Sequence, residues 1–170
     1  MLIYHPVFDI YHCIFRILRL LNRMPKEAHT TERIRILDFY LLFPEQLNSF
    51  SFPRGFSTLK KCLLALPPRY ETFPDPRLIF NQMEAYQKAA LEKLSASGLI
   101  DAAQLSNGNV LLLPSKLPAD LKEALQHADQ KFPELIAGLS EELSAVDLYG
   151  KSGLKHRSDL FEYRYDPKPN

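Results

Sequence analysis

Apolar residues recur at helical spacing from Ile10 through Ile14 and Ile17 to Leu21, and Tyr11, Phe15 and Leu18 form a second stripe beside them. His12, Arg16, Arg19 and Arg23 form the polar remainder on one side. The helix predicted over 9–23, capped by Asp9 and stopped by Pro25, is therefore either central or faces two partners. Before it, Leu2–Tyr4 is short and β-prone, a candidate strand. A second helix is expected over 31–43, with Ile34, Leu37, Leu41 and Leu42 inward and Ile36, Phe39, Tyr40 and Phe43 widening the face; Thr30 or Thr31 opens it and Pro44 ends it. Residues 44–56 are irregular and aromatic, with Phe50, Phe52 and Phe56, so this linker is expected to be packed. A short helix over 57–66 breaks at Pro67-Pro68. A long one follows over 76–96, with Pro76 in its first turn and Gly98 as its stop.

Leu99-Ile100 then begins an extended segment. Asn107-Gly108 is the strongest hairpin signal in the chain, because a type I′ turn needs positive φ at both central residues. That turn would set Leu105 opposite Val110 and Ala103 opposite Leu112. Two more helices are expected, over 118–131 and 133–149. The alternation of Phe161, Tyr163 and Tyr165 with Glu162 and Arg164 reads as a strand with one aromatic face. The predicted fold is mostly α with a small β-hairpin: a winged helix-turn-helix-like domain over 31–114, an N-terminal segment and helix over 1–30, and C-terminal helices with an aromatic tail over 115–170, packed on the same core.

The 170 residues are 46% hydrophobic and 24% charged, which excludes a disordered or fibrous chain. Lys and Arg number 21 and Asp and Glu 20, so no global field points to an anionic polymer. The charge is unevenly placed. Residues 1–70 hold 10 Lys/Arg and 5 Asp/Glu, whereas residues 71–170 hold 11 and 15. Two cysteines, Cys13 and Cys62, are too few for a disulfide framework. No apolar run is longer than that from Phe39 to Phe43, far short of the ~20 residues that span a bilayer. No cleavable leader is evident, and a cytoplasmic, membrane-free protein is expected.

A winged helix that reads DNA inserts its third helix in the major groove and contacts phosphates from its wing. Here the third helix offers Arg77, Lys88 and Lys93 against Glu84 and Glu92, and the tip Ser106–Asn109 is uncharged. Phosphate contacts dominate DNA affinity, so a protein-binding block is favoured over the alternative, a winged-helix DNA-binding transcriptional regulator. Arg16, Arg19 and Arg23 form the best electrostatic feature, a candidate contact for phosphate or an acidic partner, against the plainer reading of a solvated helix face. Tyr11, Phe15 and Leu18 are candidates for a partner face or for the core.

Catalytic chemistry finds no foothold. His5, His12 and Cys13 have no spacing that converges on a metal ion. Gly150-Lys151-Ser152-Gly153 lacks the glycine five residues before the lysine that a phosphate loop needs. No catalytic constellation, metal site or cofactor is expected.

The opening Tyr4-His5-Pro6-x-Phe8-Asp9-x-Tyr11-His12-Cys13 resembles the start of middle-component proteins of bacterial ABC-three-component systems, which include Lamassu-type anti-phage and anti-plasmid defence. The stretch from Arg35-Ile36-Leu37-Asp38 to Phe43-Pro44 resembles them as well, and Gly153-Leu154-Lys155-His156-Arg157 fits the same picture. The resemblance implies a small non-catalytic adaptor between an SMC-like coiled-coil ATPase and an effector, often a nuclease, with possible DNA contact through the complex.

Overall fold

Asp9 starts the first helix as its sequence predicts: its Oδ1 accepts the His12 amide at 2.9 Å, after a 3₁₀ turn over Pro6–Phe8. This helix, α1 (Ile10–Arg23), leads through a short connection into strand β1 (His29–Thr30). β1 runs directly into α2 (Thr31–Leu42), where Thr30 Oγ1 accepts the Arg33 amide. The computed structural model describes residues 5–67 and 72–162. The candidate strand at Leu2–Tyr4 and the tail residues Tyr163 and Tyr165 lie outside the described residues.

The middle of α2 is buried all round, from Ile34 to Leu41. It achieves this by lying between α1, the long α4 (Pro76–Ala96) and the C-terminal segments. The aromatic linker folds back on it. Tyr40 meets Phe50 edge-on at 5.8 Å, Phe50 meets Phe52 at 5.0 Å, and Phe39 packs on Phe80 at 5.8 Å. The short α3 (Thr58–Ala65) has no cap of its own; the Glu142 carboxylate accepts the amides of Thr58 and Leu59 at 3.1 and 3.2 Å. One hydrophobic cluster runs from Val7 to Leu160 and holds residues of all three expected segments.

The wing differs from its prediction. Residues Ala102–Ser106 form a short helix, α5, instead of a strand, and strand β2 (Asn109–Val110) pairs antiparallel with β1 as His29↔Val110 and Thr30↔Asn109. Ile100 lies opposite Leu112 in an isolated antiparallel bridge, so the base of the expected hairpin forms in a different register with a helix at its tip. Asp101 is the reason. Its Oδ1 accepts the Gln104 amide at 2.8 Å, and the Ala-Ala-Gln-Leu that follows favours helix. Asn107-Gly108 then ends that helix instead of turning a hairpin: Asn107 sits at φ −92°, and only Gly108 is left-handed, at φ +78°.

Two further expectations change. α6 (Ala119–Asp129) forms where predicted, but the following helix is α7 (Pro133–Ala137), widening into π-type turns over Gly138–Leu143, and it does not continue to residue 149. A short α8 (Leu154–Ser158) occupies part of the stretch before the tail, and Leu160–Glu162 is not strand. Among the described residues the architecture is mostly helical with one small antiparallel sheet.

Candidate functional site

The arginine row of α1 is turned toward the rest of the protein. Arg16 is buried, and its fork holds Asp38 of α2, Nε to Oδ1 at 2.6 Å and Nη2 to Oδ2 at 3.2 Å. Asp38 has no exposed surface, and it also accepts Gln87 Nε2 from α4 at 2.9 Å and lies 3.8 Å from Cys13 Sγ. Gln87 continues the network by accepting Arg35 Nε at 2.9 Å, and Arg35 reaches Glu84 at 3.3 Å. Burial opposes the Arg16 charge, but the adjacent carboxylate outweighs it and holds the guanidinium protonated. Burial, with Asp38 second, pushes the Cys13 thiol well up, so this cysteine is a poor nucleophile at neutral pH.

Arg19 pairs with Asp129 at the end of α6 at 2.7 Å, and Arg23 reaches Glu141 at 3.3 Å. The three arginines share a helix side, but Arg16 goes to Asp38 whereas Arg19 and Arg23 share Asp129, with Arg23 Nη1 4.0 Å from it; Arg23 alone of the three is exposed. Among the aromatic and apolar candidates of α1, Leu18 is fully buried, Phe15 is half-buried and Tyr11 is 71% exposed.

Tyr11 belongs to an aromatic surface where α1 begins and α4 passes. Lys93 Nζ stands 5.7 Å over the Tyr11 ring, and Phe8, itself 43% exposed, lies 5.4 Å from Tyr86. Tyr86 and Lys93 are seven residues apart on α4 and so share one face. Beside them a groove of about 320 Å³ is lined by His5, Val7, Phe8, Phe43, Phe73 and Ile79 among others. That Tyr86 is only half-buried was not legible, because an aromatic at helical spacing reads as core. The buried Asp38 did leave a signal: a lone carboxylate inside the apolar run from Ile34 to Phe43.

Among the described residues no group of three or more His, Cys, Asp or Glu is placed to hold a metal ion, and no helix is long and apolar enough to cross a membrane. What the arrangement offers is an internally satisfied polar core and exposed aromatic side chains, the chemistry of recognition. No curated protein and no solved structure matches the chain. A family model does, that of the ABC-three component (ABC-3C) system Middle Component 5, over residues 2–166. Since the match spans nearly the whole chain, this protein belongs to the Middle Component 5 family of ABC-three component systems.

Proposed function

We propose that this chain is a non-catalytic adaptor that links an SMC-like coiled-coil ATPase to an effector subunit, such as a nuclease, in a cytoplasmic anti-phage or anti-plasmid complex of the Lamassu kind. It works without a cofactor. Membership in a middle-component family supports the place between two other components. The observation that carries the adaptor role is the aromatic surface of exposed Phe8 and Tyr11 with half-buried Tyr86, beside an apolar groove. Aromatic side chains are enriched where interfaces bury their cores. In this reading Tyr11 faces the partner, Phe15 lies at the margin and Leu18 anchors the helix within the core. Arg23 is the exposed member of the arginine row, so an acidic partner or a phosphate would share it with Asp129 and Glu141, and DNA contact belongs to the assembled complex. The winged-helix order describes the 31–114 segment as a protein-binding block.

The test is co-expression of the tagged chain with the ATPase and effector components encoded beside it. Both are expected to co-purify with the wild type, and Phe8→Asp with Tyr11→Asp is expected to release one of them while the chain stays folded by circular dichroism. Failure of the wild-type chain to retain either component, or ATP hydrolysis or DNA cleavage by the repurified chain alone, overturns the adaptor reading.

A further inference from the structure

Folding gives an internal partner to most of the positive charge in the first part of the chain. Arg16 lies on Asp38, Arg19 on Asp129, Arg23 on Glu141 and Arg35 on Glu84. Arg33 donates to the Val146 carbonyl at 2.6 Å and to that of Ser144, and Lys26 donates to the Leu21 carbonyl at the end of α1 at 2.9 Å. Arg54, Lys60 and Lys61 stand apart. All three are exposed, and none has a carboxylate in salt-bridge range among the described residues.

Lys60 and Lys61 are on α3, and Leu64 follows one turn later. At 3.6 residues per turn Leu64 projects between the two lysines. It is 88% exposed, more than Phe8, Tyr11, Leu78, Phe132 or Tyr149. The helix does not lack an inner face that could have hidden it: Leu59 and Cys62 are buried there, and a Cβ on Gly138 would stand 2.5 Å from Leu59 Cγ, so the closeness of α3 to the turns after α7 depends on that glycine. Among the described residues, Glu142 serves the start of this helix at the Thr58 and Leu59 amides, and Glu134 acts on Cys62 of its inner side. Lys60 Nζ lies 5.9 Å over the Phe52 ring, and Arg157 donates to the neighbouring Ser51 carbonyl at 2.5 Å, adding another cation to the same edge.

We propose that the outer face of α3 is a second docking surface, and that its occupant is a protein partner presenting an apolar socket rimmed by carboxylates. The commitment rests on charge complementarity together with Leu64. A nucleic-acid backbone would satisfy the cations of this edge but offers nothing to a leucine held between them, whereas an acid-rimmed socket takes both. The proposal rests on the adaptor reading above and gives the middle component a contact separate in sequence from the Phe8–Tyr11 surface.

The experiment compares three tagged full-length chains, wild type, Lys60→Glu with Lys61→Glu, and Leu64→Ser, each co-expressed with the neighbouring ATPase and effector components. Each variant is expected to lower recovery of one component about tenfold and to retain the other, with rim charges acting chiefly on the rate of association. Recovery of that component with the wild type should also fall between about 0.1 and 0.5 M salt, as screening of exposed charges requires. Thermal melts of the variants should match the wild type, because all three side chains are exposed. If the wild-type complex forms and both variants hold both components equally well, the docking surface is overturned and the adaptor reading stands. If the lysine variant keeps its components but loses binding to a short DNA duplex that the wild type binds, the occupant is nucleic acid and the proposal is likewise overturned. If the wild type assembles with neither component, the adaptor reading falls, and this surface with it.

Discussion

Asp38 concentrates the energetics of the molecule in one side chain. It accepts two bonds from Arg16 and one from Gln87 with no surface of its own exposed. Removing one partner of such a pair leaves an uncompensated buried charge, at a cost of about 3–5 kcal/mol. Asp38→Ala is therefore expected to destabilise by about that much in urea unfolding. The double variant Arg16→Met with Asp38→Leu should lose clearly less, because no charge is then stranded. Two carboxylates also make stability depend on acid. Burial pulls the Glu142 pKa up, but the Thr58 hydroxyl and the backbone amides of Thr58, Leu59 and Ser57 outweigh it and hold it below its ordinary 4.5. Lys88, followed by Arg35, does the same for Glu84 against the cost of burial. A carboxylate depressed by folding stabilises fully above its unfolded pKa and loses that contribution as pH falls through its folded value. Urea midpoints should therefore be flat near neutrality and drop below about pH 4.5. Glu142→Gln should show a shallower drop over the same range.

At the scale of elements, three positions decide shape through backbone geometry and close approach. Gly108 sits at φ +78° with open space around it, so a side chain there meets no neighbour and the cost is conformational. Gly108→Val is expected to lose about 1–2 kcal/mol through a strained left-handed backbone. The loss comes from the cap of α5 and its link to the start of α2, where Thr31 N donates to the Gly108 carbonyl at 2.9 Å. Asp101→Ala should lose about 1 kcal/mol from the other end of the same helix. Gly138 is different, since a methyl there runs into Leu59 at the contact of α3. Gly138→Ala is predicted to cost about 1–3 kcal/mol by overpacking. The companion Leu59→Ala with Gly138→Ala should recover part of that loss in a double-mutant cycle followed by chemical denaturation.

The whole molecule is a charge-matched fold. The basic excess of residues 1–70 and the acidic excess of residues 71–170 meet across its interior and flanks, at Arg19 with Asp129, Arg23 with Glu141 and Arg35 with Glu84. Lys155 returns the pairing in the opposite sense, reaching Glu32 at 2.8 Å while it lies 5.0 Å over the Tyr149 ring. Because a single hydrophobic cluster crosses all parts of the chain, residues 31–114 alone would expose much of the core that α1, α7 and the following turns cover. That fragment is expected to lack a cooperative thermal transition by circular dichroism, whereas the full chain should unfold in one.

Much of this was legible in the order of residues. Periodicity, Asp9, Pro44, Pro76 and Gly98 set the main helices and most of their ends, because caps and ring constraints act within a few residues. The packed aromatic linker followed from Phe50, Phe52 and Phe56, which are too apolar to be left together in water. The stretch Asp101–Gly108 carried two local signals of similar strength, a helix cap and an Asn-Gly turn. The pairing of β2 with His29–Thr30, some 80 residues away in sequence, belongs to the helix solution, and that long-range pairing is visible only in the tertiary structure. The arginines were legible as a row on one side of α1, but periodicity locates a side without naming what lies across from it. Packing decided that Arg16 would meet Asp38 and Arg19 would meet Asp129, turning a basic stripe into internal pairs. It also left Phe8 and Tyr11 on the surface and Leu64 in water between two lysines. The physical reason is the same throughout: caps, turns and periodicity are properties of neighbouring residues, whereas the partner of a charge and the cover of an apolar side chain depend on which distant segment arrives beside them.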